Sequence, residues 1–120
     1  MRRVLLLETN PSLRRRIEAW LDKLCELVIA SSDEEAIAYF DEDGGYDEAI
    51  IGLSAAGGDL HVRALRYAAD HPDAAPRVVI LVGNGQTVSA SMGDRARSVV
   101  ASTLDRERLA EALGNVGEAA

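Results

Sequence analysis

Arg3-Val4-Leu5-Leu6-Leu7-Glu8-Thr9-Asn10-Pro11 is the stretch on which the reading of the fold turns. Val4 to Leu7 is short and wholly apolar, as expected for a parallel strand buried on both faces. The polar pair Glu8-Thr9 ends it. Asn10-Pro11 then starts a helix, with Asn10 as the cap and Pro11 in the first turn, where its missing N–H is harmless. Leu13, Ile17, Trp20, Leu21 and Leu24 follow at helical spacing, so one stripe faces a core while Arg14, Arg15, Arg16 and Asp22 face water.

The same alternation continues outward. Glu26 to Ala30 reads as a second strand, and Ser32-Asp33-Glu34-Glu35 is a capping-box pattern opening a helix with Ala36, Ile37 and Phe40 on its buried side. Asp41 to Tyr46, with Gly44-Gly45, breaks that helix. Asp47 to Ile51 is the third strand, and Gly52 comes next. Gly57-Gly58-Asp59 is a turn, with Asp59 able to cap a helix that carries Val62, Leu65, Ala68 and Ala69 and ends at His71-Pro72. Val78 to Val82 is the fourth strand. Residues 83–97 are polar and rich in turn formers, which allows only a short or frayed fourth helix. Val99-Val100-Ala101 is a brief fifth strand. Asp105 caps the last helix, with Leu104 and Leu109 as a hydrophobic staple and Leu109, Ala112, Leu113 and Val116 as its buried stripe. The domain is expected over 1–116, with 117–120 a tail or the start of a linker. Strict alternation of strand and helix argues for an α/β fold with a parallel sheet covered on both faces.

A chain of 120 residues can bury one core without staples. Aromatics are only 4% against 48% apolar residues, so that core must be aliphatic. The net charge of −7 disfavours direct nucleic-acid binding, which needs a basic face. Arg14 to Arg16 is read as the solvated side of the first helix. Cys25, the one cysteine, reads as a small buried residue at a helix–strand junction. The apolar runs fall short of the about 18 residues of a membrane span, and no signal peptide is evident. A cytoplasmic location is expected. His61, on a helix, and His71, at its end, are expected at the surface, since a metal site would need further ligands. Gly83-Asn84-Gly85 lacks the Lys-Ser/Thr of a P-loop. No spacing suggests a Ser-His-Asp set, so no enzyme is expected.

The opening stretch, Tyr46-Asp47 before the third strand, Gly57-Gly58-Asp59 after it, and Leu104-Asp105 before the last helix together resemble CheY-like receiver domains over residues 2–116. The resemblance implies a flavodoxin-like, doubly wound five-stranded parallel sheet of order 2-1-3-4-5. A narrower similarity is to the N-terminal domains of FleQ/FlrA-type flagellar regulators. It is carried by Ile51-Gly52-Leu53-Ser54-Ala55-Ala56-Gly57-Gly58 and Arg97-Ser98-Val99-Val100-Ala101-Ser102.

In the family that resemblance implies, an acidic pair after the first strand holds Mg²⁺ while phosphate moves to an aspartate after the third. Here the pair is Glu8-Thr9, and the acceptor position is Gly52, which has no side chain. Val82 stands where a Ser or Thr hydroxyl is implied, and Ser102 where a lysine is implied. Thr103 replaces a proline. Asp47 lies at the other end of the third strand, roughly 16 Å away at about 3.3 Å per residue. These degenerate positions, Glu8, Thr9, Gly52, Val82 and Ser102, point to a pseudo-receiver that takes no phosphate, needs no cofactor, and works as a protein-interaction or dimerisation module in bacterial signalling or transcription. Arg106, Glu107 and Glu111 on the last helix form its candidate interaction surface. The alternatives are an atypical receiver retaining Mg²⁺ or unorthodox phosphate binding, and a small-ligand sensor at the carboxyl edge of the sheet.

Overall fold

The computed structural model describes residues 2–42, 46–53, 61–73, 77–83 and 95–113. Strands β1 (Arg2–Leu7), β2 (Cys25–Ala30), β3 (Glu48–Gly52), β4 (Arg77–Val82) and β5 (Ala96–Val100) alternate with helices α1 (Pro11–Leu21), α2 (Asp33–Glu42), α3 (Val62–Asp70) and α4 (Arg106–Ala112). Every strand pair is parallel, and the order is β2-β1-β3-β4-β5. This is the doubly wound order expected of the chain. The fourth helix expected within 83–97 falls largely outside the described residues, so the last helix of the sequence reading is α4.

The continuous apolar runs follow from coverage on both faces. Leu5, Leu7, Ala49, Ile51, Val78, Ile80 and Val82 pack in one cluster with Ala36 and Phe40 of α2 and Ala64, Leu65 and Ala68 of α3. Val4, Leu6, Ile50, Val79 and Leu81 pack in the other with Leu13, Ile17 and Leu21 of α1 and Leu109 and Ala112 of α4. Adjacent residues on one strand thus serve opposite cores, and neither position can be polar. Each fully buried leucine or isoleucine contributes about 1.5–3 kcal/mol.

The starts of α1, α2 and α4 form as their sequences direct, while Asp59, the expected cap of α3, lies outside the described residues. Asn10 Oδ1 accepts the Leu13 N–H at 3.2 Å, and Asp105 Oδ1 accepts that of Arg108 at 2.8 Å. Ser32 Oγ accepts from Glu35 N–H at 3.1 Å, while Glu35 Oε1 reaches back to the N–H of Ser31 at 3.2 Å. Leu104 and Leu109 are both buried in one cluster, as a staple requires. Cys25 is buried, its Sγ 3.9 Å from the Leu21 carbonyl.

Three expectations need correction. The fifth strand is Ala96–Val100 rather than 99–101, and Ala101–Thr103 is a turn of 3₁₀ helix. Arg97 and Ser98 are polar because β5 is an edge strand with exposed positions, so apolar patterning alone understates it. Leu24 lies beyond α1, which ends at Leu21, and it packs from the following turn. His61 is neither helical nor at the surface: it is buried and precedes α3 in the left-handed region at φ 65°.

Candidate functional site: the carboxyl edge of the sheet

In the register of β1 with β3, Leu7 stands beside Ile51, so Glu8 and Gly52 are the next pair along. Gly52 is held on its other side by β4, paired with Leu81, whose carbonyl accepts the Leu53 N–H at 2.7 Å. Glu8 does not reach into solvent. It is 2% exposed, and its carboxylate lies over Gly52. A Cβ placed on residue 52 would stand 2.8 Å from Glu8 Cδ and 3.2 Å from Oε2, and closer still to Oε1. Glu8 Oε2 accepts the Asn10 N–H at 3.0 Å. Oε1 has no hydrogen-bond partner among the described residues.

The other degenerate positions share this edge but not this contact. Val82, at the end of β4, is buried in the cluster with α2 and α3 and offers no polar group. Ser102 is exposed in the 3₁₀ turn after β5, where the Thr103 hydroxyl donates to the Val100 carbonyl at 3.3 Å. Thr9 is exposed. Glu8 and Gly52 are therefore brought together, whereas Thr9 and Ser102 are exposed and Val82 is buried in the core under α2 and α3.

This arrangement has little reactive capacity. A Mg²⁺ ion takes near-octahedral oxygen ligands, including one or two carboxylates. Among the described residues no three His, Cys, Asp or Glu side chains group closely enough to hold a metal. The described residues at this edge do not fit the ion that the resemblance implies, because Glu8, the carboxylate at the end of β1, is turned onto a glycine.

Asp47, at the start of β3, lies at the opposite edge. Its Oδ2 accepts the Arg3 N–H at 2.8 Å, and its own N–H donates to the Arg3 carbonyl at 2.9 Å. Beside it, Arg2 Nη1 donates to Glu48 Oε1 at 2.7 Å and to the carbonyl of Leu113, just past α4, at 3.0 Å. Glu48 is 1% exposed. Burial pushes its carboxyl above the usual range, against the opposing pull of Arg2 and Arg77.

Sequence reasoning missed the link between α2 and α3. His61 Nδ1 lies 2.6 Å from Asp33 Oδ1, and Asp33 Oδ2 accepts the Ala64 N–H at 3.0 Å. One carboxylate on α2 thus caps α3 and ties down the left-handed residue before it. Burial pushes the Asp33 carboxyl up, but the hydrogen bonds from His61 and Ala64 outweigh it and hold the group below its ordinary value. Asp33 sits inside a capping box, so its sequence context assigns it to its own helix.

On α4, Arg106, Glu107 and Glu111 are exposed. Glu111 also lines a groove of about 240 Å³ between α4 and β5, with Arg97, Ser98, Val99, Arg108 and Ala112.

No protein-family model matches the chain, and no curated protein matches its sequence. Solved structures do match its fold. The N-terminal domain of a response regulator/sensory box/GGDEF protein from Carboxydothermus hydrogenoformans superposes with a TM-score of 0.73 at 16% identity, over 93% of this chain and 90% of that one. The receiver domain of a putative LuxO repressor protein from Vibrio parahaemolyticus gives 0.70 at 18%, over 97% and 93%. TrrA, a response regulator of Thermotoga maritima solved with Mg²⁺-BeF, gives 0.69 at 22%, over 97% and 99%. The chain therefore has the CheY-like fold of response-regulator receiver domains. At these identities the likeness is one of fold.

Proposed function

We propose that this chain is a pseudo-receiver: a phosphorylation-independent module that works through its surfaces, as a protein-binding or dimerising part of a bacterial signalling or transcriptional regulator. The observation that carries this reading is Gly52 at the end of β3, where the acceptor carboxylate is implied and no side chain exists. Val82 and the exposed Ser102 support it, since Val82 has no hydroxyl and Ser102 no cationic group where the resemblance implies one to bind a phosphoryl group. The bounds 1–116, a cytoplasmic setting and kinship with FleQ/FlrA-type flagellar regulators belong to the same proposal. Intact-mass measurement after incubation with acetyl phosphate and Mg²⁺ tests it. No adduct is expected, and a stoichiometric phosphoryl adduct lost in base, as an acyl phosphate is, overturns the reading.

The partner surface in this proposal includes α4. Arg106, Glu107 and Glu111 are its exposed charges, Glu111 lines the groove against β5, and α4 is capped and stapled. A preordered element binds with less entropic cost than a loose one. Analytical ultracentrifugation is expected to find a dimer weakened by charge reversal at Arg106 and Glu111. A strict monomer, or a dimer indifferent to those changes, removes this surface.

A further inference from the structure

We propose that Glu8 is the permanent occupant of its own pocket. Its side chain crosses from β1 into the space where a side chain on β3 would begin, so Glu8 and Gly52 are a matched pair and each requires the other. The inference rests on the pseudo-receiver reading and deepens it: the pocket is filled from within as well as short of reactive groups.

Five observations carry it. Glu8 follows four fully buried apolar residues and is itself 2% exposed, so the strand delivers its carboxylate inward. A Cβ on residue 52 would press on Glu8 Cδ at 2.8 Å and on both oxygens, so a side chain can be added there only if the Glu8 carboxylate swings out of its place. The backbone of Gly52 cannot withdraw, being paired with Leu81 and followed by the Leu53 to Leu81 hydrogen bond of 2.7 Å. Glu8 is tethered by the N–H of Asn10, which in turn caps α1. Glu8 Oε1 has no hydrogen-bond partner among the described residues, so the Asn10 N–H is the hydrogen bond that holds the carboxylate there while register sets it beside Gly52.

The pair accounts for two substitutions by one geometric cause. A glutamate at position 8 is long enough to cover the end of β3, and a glycine at position 52 is small enough to lie under it. An acceptor side chain and the Glu8 carboxylate would compete for one volume. An incoming anion meets a carboxylate already in place.

A double-mutant cycle followed by thermal unfolding of the full chain tests this. Gly52→Ala is expected to lower the midpoint by roughly 3–5 °C, the cost of swinging the buried Glu8 carboxylate off its Asn10 tether in a domain of this size. In a Glu8→Ala background the same substitution is expected to shift it by less than about 2 °C, since the obstructing carboxylate is gone. Glu8→Gln retains the volume, so Gly52→Ala should remain damaging there. Equal loss in all three backgrounds overturns the proposal, and so does rescue by Gln as complete as by Ala, which would make charge and not occupancy the cause. If Gly52→Ala alone does not fold, the Glu8→Ala/Gly52→Ala chain must fold, and its failure is equally decisive. A phosphoryl adduct on the unaltered chain would defeat the functional reading without changing this cycle.

Discussion

Each edge of the sheet buries one glutamate, and the two are treated in opposite ways. Glu48, at the amino edge, and Glu8, at the carboxyl edge, are 1% and 2% exposed, and each has one oxygen without a hydrogen-bond partner among the described residues. Glu48 faces the Arg2 guanidinium at 2.7 Å, and Arg2 also holds the carbonyl of Leu113. Its charge is matched and its bond joins three elements. The hydrogen bond of Glu8 comes from the main chain of Asn10, and it covers a glycine. A carboxylate met by a cation holds structure together. A carboxylate pressed onto a neighbouring strand closes space, and Glu8 does so over Gly52.

The largest effect is expected from placing a second carboxylate under the first. Gly52→Asp forces the Glu8 carboxylate aside and sets two acids side by side, so the loss should be about 3 kcal/mol by chemical denaturation. The same variant should remain unphosphorylated by acetyl phosphate. Wild-type stability together with phosphate uptake would erase the distinction between the two edges.

Arg2→Ala tests the amino edge and should cost about 2–3 kcal/mol. That is less than is usual for a broken buried pair, because the Arg2 side chain is 40% exposed. Its pH dependence sharpens the contrast. The folded-state pKa of Glu48 is raised, so the folded chain binds more protons than the unfolded one between the ordinary glutamate value and the raised one. The contribution of this group is thus fully present below the ordinary value and is lost as pH rises through the folded one. Removing Arg2 takes away a lowering influence and should extend that loss to higher pH, whereas Glu48→Gln should flatten it. Denaturation midpoints measured across pH for the three chains would show whether the slopes order that way.

Asp33→Ala removes the carboxylate that caps α3 and holds His61, and about 1–2 kcal/mol is expected, with hydrogen exchange rising first at the start of α3. Asp33 is shifted the other way from Glu48. Its folded pKa is depressed, so its contribution is present above the ordinary aspartate value and is lost as pH falls through the folded one. A wild-type acid-unfolding curve that Asp33→Asn leaves unchanged would contradict this. Charge reversal at exposed Arg106 should alter monomer stability by less than about 0.5 kcal/mol, so any larger change in sedimentation reports association rather than folding.

Much of the carboxyl edge was legible in the sequence because it is written in local pattern. An apolar run ending in Glu8-Thr9 and another ending in Gly52 state which side chains are on offer at two strand ends. The caps Asn10, Ser32 and Asp105 were readable for the same reason, since a cap and its target N–H lie three residues apart. His61 was misread because its partner Asp33 is 28 residues away on another helix. β5 was misplaced because an edge strand is specified by main-chain pairing to β4, which Arg97 and Ser98 can join without apolar side chains.

By itself, then, the sequence determined the alternation of strand and helix, the two-faced burial of the sheet, and the absence of any side chain at position 52. Those properties depend on residue identity and on spacing within one element. Only the tertiary structure decided where the Glu8 carboxylate goes, that Arg2 bridges Glu48 to the end of α4, and that Asp33 serves a helix other than its own. Each of those depends on the register of one strand or helix against another, and register is a distance between residues that the chain separates by tens of positions.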